Sequence, residues 1–198
     1  MSVWGVGTGR CGTKSLAKDM GGLHEPSPRL GDYACLTKFS ESAYYYCSHV
    51  IRCRHLMEAP IIVDMHHSYL IDMIMDIDSE AQFIWLIREP LQCVTSLLSG
   101  GAFTETDRWG VNKLSDPPRQ DGDREGRIIS CCNHWVNVNN LIMESVRREP
   151  ERFRRMYTSD LQARENRHKA SPDSLDAIEV ELVLDRCWGC WKASCTII

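Results

Sequence analysis

No apolar run in the 198-residue chain approaches the roughly 18 residues that a bilayer-spanning helix needs. The N-terminus lacks the charged, apolar and small-residue tripartite order of a secretory leader, so a cytoplasmic protein without a membrane span is expected. An excess of positive charge is also missing. Lys and Arg number 23 against 27 Asp and Glu, a net charge of -4. That balance argues against a general nucleic-acid surface but permits a local basic pocket for one small anion. The ten cysteines are scattered, with Cys131 and Cys132 adjacent, so reduced thiols are expected rather than a disulfide scaffold. Cys187 and Cys190 form a C-x-x-C with no second pair at zinc-finger spacing and no redox-motif context, so no metal site is expected. No internal repeat is visible.

What is present suits one globular domain over residues 1–198, with 43% hydrophobic and 25% charged residues. Apolar "SVWGV" predicts a short strand over residues 2–6, a glycine-rich turn follows, and a helix is expected over Thr13–Met20, closed by Gly21 and Gly22. "LHEPSPRLGD" reads as loop. Ser40–Met57 reads as a helix, "IIVD" at Ile61–Asp64 as a short buried strand, and Ser68–Ile77 as a helix. "AQFIWLI", Ala81–Ile87, is the clearest strand, and Pro90 opens the helix that Gly100 and Gly101 close. Residues 101–126, rich in Gly, Pro and charge, read as a long loop or lid. Arg127–Arg148 returns to helix and Arg152–Tyr157 to strand, while the tail "DRCWGCWKASCTII" suggests no role. Strands alternating with helices imply an α/β three-layer sandwich with a mostly parallel sheet.

The turn "GVGTGRCGTKS" carries G-x-G-x-x-G at Gly7, Gly9 and Gly12, and nearly spells G-x-x-x-x-G-K-[ST], with Thr13 inserted before Lys14. A glycine-rich entry to a helix lets an anion approach outward-pointing N–H groups and the positive end of the helix dipole. Arg10, Lys14 and the hydroxyls of Thr13 and Ser15 suit a multiply charged phosphate or sulfate ester. A dinucleotide site would need a second strand ending in an acidic residue about 20 positions on, where this chain reads as loop. A nucleotide-triphosphate loop would place the lysine directly after the last glycine, with Asp64 near magnesium.

"GTGRCGTKSLA" resembles the 5′-phosphosulfate loop of sulfotransferases, and "FIWLIREPLQCVTSLLSGG" resembles their 3′-phosphate motif, an arginine at a strand end with a serine eight residues on. The resemblance is clearest over residues 2–161. It implies a P-loop, nucleotide-kinase-like fold, with 3′-phosphoadenosine 5′-phosphosulfate (PAPS) as donor and 3′,5′-diphosphoadenosine (PAP) as product. It implies that Gly9, Arg10, Cys11, Gly12, Thr13, Lys14 and Ser15 wrap the 5′ end, with Arg88 and Ser96 on the 3′-phosphate. "HWVNVNNLI" is similar to a W-x-x-x-N helix of several bacterial members. "FRRMYTSDL" is similar to a strand and turn that would bring Tyr157 towards the adenine.

Sulfuryl transfer needs cations on the departing phosphate and a group to take the acceptor proton. By the resemblance Arg10 and Lys14 fill the first role without a metal. Glu25 matches a catalytic glutamate of some branches, and His66 and His67 match the histidine base of others. Many relatives carry a lysine near the second strand's end, where this chain has Met65. The implied acceptor is a small molecule or glycan. A small-molecule kinase or NTPase of the related fold, and a non-catalytic nucleotide-binding protein, stay open as alternatives.

Overall fold

A computed structural model describes residues 2–25, 47–48, 50–52, 57–104, 123–163 and 175–197. The expected helix Ser40–Met57 falls largely outside them, although residues 47–48 and 50–52 are helical. Most of the expected loop over 101–126 is outside them too.

Five strands form one sheet: β1 (Val3–Val6), β2 (Leu23–His24), β3 (Ile62–Val63), β4 (Gln82–Ile87) and β5 (Phe153–Tyr157). Their order is β2-β3-β1-β4-β5, and every pairing is parallel. β4 is a continuous apolar run because it is covered on both faces. Its alternating side chains show this directly. Phe83, Trp85 and Ile87 join Trp4, Val6, Ile62 and Phe153 on one face, whereas Ile84 and Leu86 join Val63, Leu16 and Ala17 on the other.

Helix α1 (Thr13–Asp19) therefore covers one face, while α2 (Ile71–Ile77) and the 25-residue α4 (Arg124–Arg148) cover the opposite one. Helix α3 (Pro90–Ser99) begins with its proline in the first turn, as expected from the sequence. A third apolar cluster joins α3, α4 and the tail through Leu97, Cys131, Trp135 and Val183. The tail is thus helix α5 (Ala177–Thr196), started by a reciprocal Asp176–Glu179 capping box. No helix among the described residues is long and apolar enough to cross a membrane.

Three expectations change. "LHEP" is not all loop, because Leu23 and His24 pair with Ile62 and Val63 as β2. This strand lies beside β3 and not β1, so it does not create the strand order of a dinucleotide fold. Residues 65–69 form a 3-10 turn before α2, where one continuous helix from Ser68 was expected. Finally, α4 starts at Arg124 because Asp123 accepts the Gly126 N–H at 2.9 Å and so caps the helix three residues early.

Candidate functional site

After β3 the chain crosses β1 to begin β4, so the carboxyl ends of β1 and β4 bound the crevice where open α/β sheets hold ligands. The glycine turn leaves β1 at this edge. Gly9 (φ 71°), Arg10 (φ 51°) and Gly12 (φ 96°) are all left-handed. A Cβ on Gly7 would stand 2.6 Å from Cys11 Sγ and 2.8 Å from the Leu86 carbonyl oxygen. One on Gly9 would stand 2.7 Å from Met65 Sδ. The turn therefore requires glycine at Gly7, where one obstacle is backbone, whereas at Gly9 the obstacle is the end of a flexible side chain.

Side chains from four other elements hold the loop. Ser68, in the 3-10 turn, accepts the Gly7 N–H at 2.8 Å and donates to the Gly7 carbonyl at 2.9 Å. His134 on α4 lies 2.8 Å from the Thr8 carbonyl through Nε2, which must carry the proton to donate there. Arg88, just after β4, donates from Nη1 to the Arg10 carbonyl at 2.7 Å. Thr158, in the turn after β5, donates to the Cys11 carbonyl and also lies 3.1 Å from that of Ile87.

Arg10 is the one side-chain-bearing residue of the loop with positive φ. Its Nε donates to the Ser96 carbonyl at 3.2 Å, and a Cβ on Gly100 would sit 3.2 Å from its guanidinium carbon. Gly100 thus leaves room for the cation against the end of α3, where the helix dipole is negative. Burial holds the Arg10 pKa below its ordinary value; Cys93 opposes this and the neighbouring Arg88 charge adds to it. Two cations that act on one another in this way favour an anion beside them. Gly12, left-handed and without a side chain, is the N-cap of α1.

The predicted donor residues thus occupy one edge of the sheet. Thr13 and Ser15 are buried in the first turn of α1, and Lys14 is exposed there. Cys11 faces the loop with its backbone. Its thiol is buried with Leu16 and Leu86, and burial pushes its pKa up to about 12, so only its backbone is available to the loop. Ser96 meets the loop through its carbonyl.

A second corner lies at the ends of β2 and β3. The Thr13 hydroxyl is 3.1 Å from His24 Nε2, which is 3.6 Å from Glu25 Oε1. Asp64, nearly inaccessible, accepts both the His66 N–H at 2.9 Å and the His66 Nδ1 proton at 2.7 Å on one oxygen, Oδ1. Burial and the Asp64 charge raise the Glu25 pKa, against the opposing charges of His24, His66 and Lys14. Burial lowers the His66 pKa, but the Asp64 hydrogen bond, its charge and that of Glu25 outweigh it, so the net direction is up. Asp64 is the converse: burial alone would raise it, and the His66 bond with the two histidine charges lowers it overall.

The two histidines named from the sequence separate. His67 turns inward, its ring edge-on to Trp4 at 4.8 Å and its Nδ1 3.4 Å from the Gly5 carbonyl. Burial pulls its pKa down to about 4. Among the described residues, no three His, Cys, Asp or Glu side chains gather as a metal site.

Sequence reasoning missed Ser68, His134, His24 and the Asp64–His66 pair. The signal for the last was an Asp-x-His at a strand end, where aspartate caps the following turn. The W-x-x-x-N pair is a support: Trp135 Nε1 donates to the Arg88 carbonyl at 3.2 Å, and Asn139 accepts from Trp85 Nε1 at 3.1 Å. Tyr157 packs edge-on to Trp191 of α5 at 6.3 Å.

No known protein family matches the sequence, and no curated protein matches it. Among solved structures, the chain resembles a sulfotransferase domain from the curacin biosynthetic pathway, with a TM-score of 0.52. Identity is 11%, covering 96% of this chain and 73% of that one. At that identity the likeness is one of fold: an α/β, P-loop-like architecture of the kind that sulfotransferase domain has.

Proposed function

We propose that the protein is a sulfotransferase that moves a sulfuryl group from PAPS to an acceptor hydroxyl or amine. The observation that carries this reading is the junction of the two anion motifs through one residue. Arg88 binds the Arg10 carbonyl, and Arg10 binds the Ser96 carbonyl, so the glycine loop, the strand-end arginine and helix α3 share one crevice. The glycine turn admits no Cβ at Gly7, where the Leu86 carbonyl stands in the way, so its backbone packs tightly against β4.

In this reading the backbone of Gly9–Ser15 with Lys14 holds the 5′ phosphosulfate, and Arg88 and Ser96 hold the 3′-phosphate. The donor supplies an activated sulfuryl group on a phosphate leaving group. Arg10, Lys14 and the start of α1 stabilise the charge that collects on that phosphate. The Glu25–His66 corner beside Thr13 takes the acceptor proton. The acceptor is a small molecule or glycan.

The test compares thermal shifts with PAP, ADP, ATP–magnesium and NAD. A ligand that binds only the folded chain stabilises it by about 2.7 kcal/mol at 100 times its Kd. PAP should raise Tm most, and Arg88→Ala should abolish that preference. Equal shifts with ADP and PAP, or a larger one with ATP–magnesium, would overturn the reading.

A further inference from the structure

The orphan atom in the second corner is His66 Nε2. It is buried and has no hydrogen-bond partner among the described residues, although the other ring nitrogen is held by Asp64. Buried polar atoms are nearly always paired, so an unpaired one calls for a reason. A second observation concerns the partner. Asp64 is itself 1% exposed and sits at the end of β3, where it caps the next turn. One oxygen, Oδ1, binds both the backbone N–H and the ring of His66. That double contact fixes both ring orientation and tautomer: with the proton on Nδ1, the lone pair lies on Nε2.

Resting on the sulfotransferase reading, we infer that Asp64 is a positioning residue that makes His66 Nε2 the proton acceptor of the transfer step. In that step the acceptor oxygen or nitrogen forms a bond to sulfur while the bond from sulfur to the phosphate oxygen breaks. The phosphate oxygen leaves with the electron pair as PAP. The acceptor's proton passes to Nε2, and the resulting imidazolium is stabilised by the Asp64 carboxylate until solvent removes the proton. No other reactant is consumed.

Several charges bear on this imidazole and its partner. Asp64 and Glu25 raise the His66 pKa, Lys14 and His24 act on Glu25, and His67 acts on Asp64 from the following position. Glu25 thus acts on the histidine through its charge.

Asp64→Asn separates charge from capping, because an asparagine oxygen still accepts the His66 N–H while the negative charge is gone. Two readouts are taken on the full chain. Histidine ring-nitrogen NMR should show the neutral His66 protonated on Nδ1 in the unsubstituted protein. Its pKa should fall by about 1–3 units in Asp64→Asn, the usual effect of losing an adjacent opposite charge. The second readout is PAP release from PAPS, with 4-nitrophenol and with water as acceptor. The acid limb of kcat/KM should follow the NMR pKa downwards, and the plateau should fall about 100-fold or more. Glu25→Gln should move the limb by less than Asp64→Asn does, because it removes a charge and no hydrogen bond to the ring.

An Nε2-protonated neutral His66, or an unchanged His66 pKa in Asp64→Asn, would overturn the inference. So would an acid limb that disappears in Glu25→Gln and stays in Asp64→Asn. Thermal shift with PAP keeps the two proposals apart. If PAP fails to stabilise the unsubstituted chain, the donor reading falls. If PAP binding persists while Asp64→Asn leaves limb and plateau unmoved, only the role of Asp64 falls.

Discussion

At the scale of single residues, the glycine turn is specified by what a methyl group would strike. Gly7 is the sharpest case because one of its obstacles is the backbone of β4, the Leu86 carbonyl, which cannot rotate away. Gly7→Ala should push the turn off β4 at a cost of about 1–3 kcal/mol, the usual penalty for forcing atoms into a packed site. Urea denaturation would give that loss, and PAP titration should show weakened binding in the protein that remains folded. A variant with unchanged midpoint and affinity would show that the turn tolerates a side chain there. Gly9 is less decisive, since the Met65 sulfur it would meet belongs to a flexible side chain, leaving the left-handed backbone as its main demand.

At the scale of elements, the turn after β5 acts as a clasp on the loop after β1. Thr158 reaches the Cys11 carbonyl and lies near that of Ile87, and its methyl is among the atoms closest to Gly12. Asp19, at the end of α1, accepts the N–H groups of Gln162 and Ala163 at 2.7 and 2.6 Å, so the clasp is fastened on both sides of α1. Thr158→Val keeps shape and removes the donor. It should cost about 1–2 kcal/mol, as expected when buried carbonyls lose their hydrogen bond. A Tm equal to that of the unsubstituted chain would show that the clasp holds by packing alone.

How far the elements could be read from sequence follows from their physics. β4 and α3 announce themselves through an unbroken apolar run and a helix-opening proline, and both stand where expected. β2 was hidden because two residues make no periodic pattern, and its existence depends on β3 offering an edge. The 3-10 turn was hidden for a related reason: Asp64 caps it through a side chain whose partner, His66, is only two residues on. In the site, the glycine loop and Arg88 were legible as local motifs. The supports Ser68, His134 and Thr158 were not, being separated from the loop by 61, 126 and 147 residues.

At the scale of the whole molecule, the adjacent histidines give stability opposite pH dependences. His67 stays neutral inside the fold, with a folded pKa of about 4 against an ordinary 6.5. The unfolded chain therefore takes up a proton first as pH falls, and stability is lost between pH 6.5 and about 4. The loss from this group is roughly 3 kcal/mol. His66 works in reverse. Its folded pKa is raised, so its contribution is complete below the unfolded value and fades as pH rises through the folded one. Urea midpoints measured from pH 4 to 7 should fall towards acid, and His67→Gln should flatten that slope. An equally steep slope in the variant would assign acid lability to other groups.

Arg10 has a consequence for how a ligand would be met. Its carbonyl is anchored to the end of β4 and its side chain to the last turn of α3, so the loop's shape is set when the chain folds. The conformational freedom of that stretch is surrendered during folding and need not be surrendered again on encounter. If the loop holds the proposed donor, it does so as a preformed mould, and differences in affinity among nucleotides would report how well each one fits it.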